Sequence, residues 1–274
     1  MENPRELTTL SGMDSTPDLK SYDLIIINTS AGKDSQAMLD YVVELADQAG
    51  VRDRILSFHA DLGRVEWPGT AELAQEHAEA YGVRFVKIKR PQGDLLDHIE
   101  QRGMFPDSAR RYCTSDHKRG QGRKAMTAAV NELHSGSQIR VLNCIGLRRQ
   151  ESAARKKKTA MRFDSSASNG RRHVDEWLPI LEWSVEDVRA RIKQAGTRHH
   201  WAYDLGMPRL SCCFCVLASR RALVCAAQNM PELAAEYARV ESKIGHRFRR
   251  DLSMAEIIEA AQQEAVEAVD NWAA

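Results

Sequence analysis

Residues 23–36 read Asp23-Leu24-Ile25-Ile26-Ile27-Asn28-Thr29-Ser30-Ala31-Gly32-Lys33-Asp34-Ser35-Gln36. A short aliphatic run bounded by polar residues predicts a buried strand over 23–28. Beyond it, Met38, Tyr41, Val42, Leu45 and Ala49 recur at helical spacing. They predict a helix over 36–49 with one buried face, ended by Gly50. The segment between, Ser30-Ala31-Gly32-Lys33-Asp34-Ser35, therefore joins a strand to a helix. At such a junction the loop N–H groups and the helix N-terminus point at one spot, which suits an anion such as pyrophosphate. Gly32 allows close backbone approach, Ser30 and Ser35 offer hydroxyls, and Lys33 offers a point charge. Asp34 either caps the helix or helps hold Mg2+. The loop lacks the Gly-x4-Gly-Lys-Ser/Thr of a Walker A motif. Ser, Gly and Asp are also the ordinary residues of a capped helix start.

Working outward, strands are predicted over 54–59, 84–88 and 139–146, with a short extended piece at 177–180. Helices are predicted over 70–81, 95–102, 119–134 and 185–195. Strands alternating with helices define an α/β protein whose open, mostly parallel twisted sheet is covered by helices on both faces. From about residue 197 the pattern turns helical, over 218–245 and 253–271. The expected organisation is a flexible arm at 1–20, an α/β nucleotide-binding domain at 21–196, and a small helical C-terminal subdomain at 197–274 that carries a cysteine cluster.

The chain has 274 residues, 39 Lys+Arg against 38 Asp+Glu, and 43% hydrophobic residues. Net charge of +1 excludes attachment to nucleic acid by bulk charge, though not by a local patch. The longest aliphatic run falls far short of the ~20 residues of a membrane span. The polar first residues lack the apolar region of a secretory signal, so cytoplasm is the expected location. Residues 148–173 concentrate Arg148, Arg149, Arg155, Lys156, Lys157, Lys158, Arg162, Arg171 and Arg172. They read as a mobile basic loop, either a nucleic-acid contact or a solvated charged face. Cysteines stand at 113, 144, 212, 213, 215 and 225. Without an export signal the crowd at 212–225 reads as a metal or redox site, or as small buried thiols. Cys144 lies in an apolar strand. Cys212 and Cys215 have the C-x2-C spacing that lets two thiolates reach one metal.

The Ser30–Ser35 loop resembles the PP-loop (Ser-Gly-Gly-x-Asp-Ser) of the ATP pyrophosphatases, with Ala31 in place of the first glycine. Further motifs follow in order: His59-Ala60-Asp61-Leu62-Gly63, Arg111-Tyr112-Cys113-Thr114 with Lys118-Arg119, Gly146-Leu147-Arg148-Arg149-Gln150-Glu151-Ser152, Trp177-Leu178-Pro179-Ile180 with Trp183-Ser184 and Asp187-Val188, and the 200–206 stretch HWAYDLG. Together they resemble the phosphoadenosine phosphosulfate (PAPS) reductase family of PP-loop proteins over roughly residues 23–247. The resemblance implies an adenine nucleotide alpha hydrolase-like fold. It also implies that Ser30, Ala31, Gly32, Lys33, Asp34, Ser35 and Gly146 hold the nucleotide phosphates. By the same resemblance His59 and Asp61 line the adenosine side, and Lys118, Arg119, Arg148 and Arg155 face the phosphates or an anionic substrate. Lys33, Asp34 and Arg148 would be catalytic.

The family's reductases use a nucleophilic cysteine in a Glu-Cys-Gly tail, and no cysteine follows Cys225 in this sequence. Lys33 and Asp34 match members that split ATP. The expectation is therefore an ATP pyrophosphatase (ATP to AMP and pyrophosphate, with Mg2+) that activates a substrate for sulfur transfer. It is most like the Dnd- and Ssp-type subunits of DNA phosphorothioation, with a cysteine desulfurase as sulfur donor and DNA or a DNA-modification complex as partner. In such proteins Cys113, Cys212, Cys215 and Cys225 would ligate a [4Fe–4S] cluster; zinc, or no metal and a persulfide relay, are the alternatives. Other readings are a sulfonucleotide reductase or sulfurylase of sulfate assimilation, a tRNA-thiolating enzyme, and a non-catalytic nucleotide sensor.

Overall fold

The computed structural model describes residues 16–133 and 136–264. Strand β1 (Leu24–Thr29) runs into α1 (Lys33–Ala49). Then come β2 (Ile55–Asp61), α2 (Thr70–Ala80), β3 (Arg84–Lys89) and α3 (Leu95–Arg102). A short α4 (Tyr112–Thr114) continues through a π-turn at Ser115–Arg119 into α5 (Gly120–Glu132), followed by β4 (Ile139–Ile145). Next are α6 (Ala153–Lys156), β5 (Met161–Phe163), β6 (Arg172–Trp177) and α7 (Val185–Ala195). The chain then forms α8 (Arg220–Asn229), α9 (Pro231–Ile244) and α10 (Met254–Gln263).

The sheet order is β3-β2-β1-β4-β6-β5. All neighbours are parallel except the antiparallel pair β5–β6. Side chains alternate across the sheet, as strand geometry demands. Ile25, Ile27, Leu142, Cys144 and Trp177 pack under α1 and α7. Leu24, Ile26, Leu56, Phe58, Val141 and Val174 pack under Ala125, Met126 and Ala129 of α5. Both faces are thus covered, which is why β1 reads as an unbroken aliphatic run. A further core joins α8, α9 and α10 to α3 and to Leu62, Val65 and Trp67, just beyond β2.

The structure corrects several sequence expectations. Helix α1 starts at Lys33, so Lys33, Asp34 and Ser35 belong to its first turn rather than to a loop. The basic stretch is not a free loop: it builds α6, β5 and the start of β6, because its arginines find carboxylates and carbonyls. Of the extended piece expected at 177–180, only Trp177 belongs to a strand, which begins at Arg172; residues 178–180 lead into a turn. The helix expected over 218–245 breaks at Met230, since Pro231 has no N–H to continue α8 and instead opens α9. The arm at 1–15, His134 and residues 265–271 lie outside the described residues. Among the described residues no helix is long and apolar enough to cross a membrane.

Candidate anion-binding site

From β1 the chain moves outward to β2 and β3, and then returns to the other side of β1 for β4. The strand order therefore reverses between β1 and β4, and open α/β sheets bind ligands outside the carboxyl ends of the strands at such a point. Two loops meet there: Ser30-Ala31-Gly32 after β1, and Gly146-Leu147-Arg148 after β4.

The first loop is tightly folded. Ser35 Oγ accepts from the Ser30 N–H at 3.1 Å and donates to the Gly32 carbonyl at 2.9 Å. Ala31 is fully buried at φ +53°, a left-handed conformation that non-glycine residues rarely adopt. This is the position where the PP-loop pattern carries glycine. A Cβ on Gly32 would meet Ser30 Oγ at 3.3 Å, and Leu210 Cβ and the Tyr203 hydroxyl at 3.4 Å. A Cβ on Gly146 would meet the backbone of Asp34 and Ser35 at 3.1–3.3 Å, so a side chain there would push the second loop off the α1 N-terminus by a few tenths of an ångström.

Cations gather over these loops. Arg148 is buried, and its Nε donates to Asp34 Oδ1 at 2.5 Å. Lys33 Nζ lies 3.4 Å from Asp34 Oδ2 and donates to the Pro208 carbonyl at 3.4 Å. Burial pulls the Lys33 pKa below the ordinary lysine value; Asp34 opposes this, while Arg148 and Arg209 push it further down. Burial likewise lowers Arg155, helped by Arg209, Arg111 and Arg148 and opposed by Asp34. Lys33, Arg148, Arg155 and Arg209 thus stand around the carboxylates of Asp34 and Glu151, and Arg111 comes near enough to act on Arg155. Glu151 pairs with Arg155, lies 4.0 Å from Arg209, and accepts from the Arg148 N–H at 3.0 Å. Cations held this closely are costly unless an anion joins them. A further residue ties the site to the C-terminal half. The buried Tyr203 hydroxyl accepts from the Lys33 N–H at 2.9 Å and from the Leu210 N–H at 3.3 Å.

Of the expected ligand residues, the fold brings together Ser30, Ala31, Gly32, Lys33, Asp34, Ser35, Gly146, Arg148 and Arg155. His59 is buried, with Nδ1 3.1 Å from the Thr29 carbonyl and Nε2 3.4 Å from Glu66 Oε2. Both ring nitrogens are used inside the protein, so His59 ties β2 to β1 instead of facing a ligand. Asp61 accepts from the Gly63 N–H at 2.7 Å and closes the turn after β2. Lys118 and Arg119 are exposed on the π-turn; Lys118 acts on the Cys212 thiol. Sequence reasoning missed Arg111, Arg209 and Tyr203 as site residues. Arg111 and Tyr203 lay inside quoted motifs, whereas Arg209 carried no local signal.

The cysteines divide. Burial raises Cys212 well above the usual thiol value, and Cys215 and Cys113 raise it further, so these thiols share a neighbourhood. It adjoins the cations: Cys212 follows Arg209 by three residues, at most ~11 Å of chain, and Cys113 follows Arg111 by two. Cys225 is buried on α8, where its Sγ donates to the Leu205 carbonyl at 3.3 Å, and it belongs to the same core that Cys113 and Cys212 pack against. Cys144 is a buried core thiol of β4. Among the described residues no group of three or more His, Cys, Asp or Glu is spaced to hold a metal ion. The expected four-cysteine cluster site therefore does not fit this arrangement.

The fold and site define an α/β protein in which cations gather at the switch point of its sheet. The sequence profile of the phosphoadenosine phosphosulfate reductase domain matches residues 24–218, and the chain belongs to that family. It is 28% identical over 179 residues to an uncharacterized 37.8 kDa protein in the gpa 5' region of Escherichia phage 186, covering 65% of this chain and 52% of that protein. The chain thus spans about half the length of that curated relative. Among solved structures, it resembles the PAPS reductase of Candida auris in a phosphate complex (TM-score 0.45, 17% identity, 70% of this chain and 83% of that one). It also resembles the U34-tRNA thiolase NcsA of Methanococcus maripaludis with its [4Fe-4S] cluster (TM-score 0.47, 11% identity, 93% and 80%).

Proposed function

We propose that this protein is an enzyme that binds ATP through its PP-loop, cleaves it between the α and β phosphates, and so activates a nucleic-acid acceptor for sulfur transfer, as in DNA phosphorothioation. The observation that carries the reading is the gathering of Lys33, Arg148, Arg155 and Arg209 around Asp34 and Glu151, with Asp34 in the first turn of α1. A triphosphate supplies the negative charge this group lacks. The α1 N–H groups and Lys33 hold the phosphates, and the arginines neutralise charge that builds on the α-phosphate and the departing pyrophosphate. An acceptor oxygen attacks the α-phosphate, giving an adenylated acceptor and pyrophosphate. The terminal sulfur of a cysteine desulfurase persulfide, passed to a cysteine of this protein with release of the desulfurase thiol, then attacks the adenylated centre and expels AMP. A second cysteine thiol cleaves the remaining S–S bond, which frees the thiolated acceptor and leaves a disulfide for an external thiol to reduce. Cys113, Cys212 and Cys215, which share one neighbourhood, are the thiols we assign to these two roles.

Both Asp34 oxygens face cations, Oδ1 toward Arg148 and Oδ2 toward Lys33, so a Mg2+ ion carried in by ATP would be held by the phosphates rather than by Asp34. Such an ion would shield charge on the phosphates. Asp34 orients Arg148 and Lys33. The test is product analysis with ATP labelled at the α-phosphate, with Mg2+, with and without DNA. AMP plus pyrophosphate is expected, stimulated by DNA and lost in Lys33→Ala. Tight PAPS binding with no ATP cleavage would instead identify a sulfonucleotide enzyme.

A further inference from the structure

We propose that the exposed face of α5, with the turn joining β5 to β6, binds the phosphodiester backbone of a polynucleotide. Arg172 supplies the first observation. Its side chain is only 7% exposed, with Nε donating to the Ala167 carbonyl at 2.8 Å and Nη1 to Thr127 Oγ1 at 2.7 Å. No carboxylate among the described residues pairs with it, although buried charges are normally paired. Burial and nearby Arg123 both pull its pKa down.

Its surroundings add positive charge. Arg123, Lys124 and Arg171 are exposed, and among the described residues none forms an ion pair. Arg123 Nη2 donates to Ser166 Oγ at 2.6 Å, and Arg171 Nη1 to Asn131 Oδ1 at 3.3 Å. Two acids lie near, Asp164, whose charge reaches Arg123, and Glu132. Asp164 Oδ1 accepts from Ser166 Oγ at 2.6 Å and from the Ser166 and Ala167 N–H groups at 3.1 and 3.2 Å. Glu132, at the end of α5, pairs with Arg84.

The arrangement is a row rather than a point. Arg123, Thr127 and Asn131 recur every four residues along α5 and line one side of it. Each step rises about 6 Å, the reach of one to two nucleotides at a rise of ~3.4 Å per strand. Lys124 and the small Ala128 flank the row, and with Arg123, Thr127 and Asn131 they line an open groove of about 410 Å³. A row of cations and neutral polar groups along a groove complements a chain of phosphates better than it does a single small anion. The surface is distinct from the pocket. Arg172 begins β6 at the amino edge of the sheet, opposite the edge that carries Ser30–Lys33. The inference deepens the proposed function and rests on it for the idea of a nucleic-acid acceptor.

The test is a fluorescence anisotropy titration of the full chain with a short labelled DNA duplex, and with single-stranded DNA and RNA of the same sequence, across salt concentrations. The variants are Arg123→Gln/Lys124→Gln and Arg123→Glu/Lys124→Glu, with thermal melts to verify folding. Wild type should bind at least one of the three. The charge-reversed variant should bind at least tenfold more weakly, and the neutral variant should reduce the salt slope by about two. Equal affinity and slope in wild type and variants overturns the proposal, as does absence of binding by wild type, or displacement of the polynucleotide by inorganic phosphate at matched ionic strength. ATP cleavage without polynucleotide should be unchanged in both variants. If wild type binds but cleaves no ATP, the proposed reaction fails and the surface stands.

Discussion

Arg148 and Asp34, separated by 114 residues, meet through a 2.5 Å bond from Nε to Oδ1 that joins the loop after β4 to the first turn of α1. Asp34 also faces Lys33 at 3.4 Å, so one carboxylate organises two cations of the pocket. Breaking a buried pair from one side leaves an uncompensated charge and costs about 3–5 kcal/mol. Asp34→Ala and Arg148→Ala should each lower the melting temperature and each abolish pyrophosphate release. The double variant should melt higher than additivity predicts, because neither charge is then left alone. Additive losses in a melting double-mutant cycle would show that the bond does not couple the loops.

Ala31 holds a left-handed conformation at φ +53° while fully buried beside Leu73 and Ala74. Glycine would relieve about 1–2 kcal/mol of backbone strain but lose about 0.8 kcal/mol of methyl burial and gain unfolded-state entropy. Ala31→Gly is therefore expected within about 1 kcal/mol of wild type. Ala31→Val adds β-branching at positive φ and should cost about 2–3 kcal/mol or more. Urea denaturation of both variants checks the order.

Tyr203→Phe removes the acceptor shared by the Lys33 and Leu210 N–H groups. Each lost bond is worth about 0.5–1.5 kcal/mol. The segment carrying Arg209 should loosen over the loop, so nucleotide KM should rise several-fold with a smaller change in kcat. Steady-state kinetics separate the two. An unchanged KM would mean that the hydroxyl serves stability alone.

Buried histidines set an acid limit. His117 and His200 are each lowered from 6.5 to about 4, chiefly by burial. Below pH 6.5 the unfolded chain takes up protons that the folded chain refuses until about pH 4. Their neutral burial therefore costs nothing above that window, and stability falls as pH drops through it, by about 1–2 kcal/mol per ring at pH 5. His117→Asn should flatten the fall in urea midpoint between pH 7 and 5. A parallel decline in variant and wild type would show that other groups carry the acid sensitivity.

The sequence by itself determined the periodic elements and the phosphate loop. The aliphatic run of β1, the amphipathic α1 and the strand–helix alternation are local patterns, and local pattern fixes element type. Motif order likewise exposed the family and most of the loop residues. Tertiary structure alone decided which charges face each other. Arg209 and Arg155 are 54 residues apart, and only the return of the chain over the loop sets them around Asp34. Burial also separated residues that share a type. His59 turned inward because strand pairing set its ring against the Thr29 carbonyl, and Cys225 fell on the inner face of α8, where its thiol bonds the Leu205 carbonyl. Side-chain identity is local, whereas charge balance and access depend on which distant segments pack together, and the linear pattern does not encode that directly.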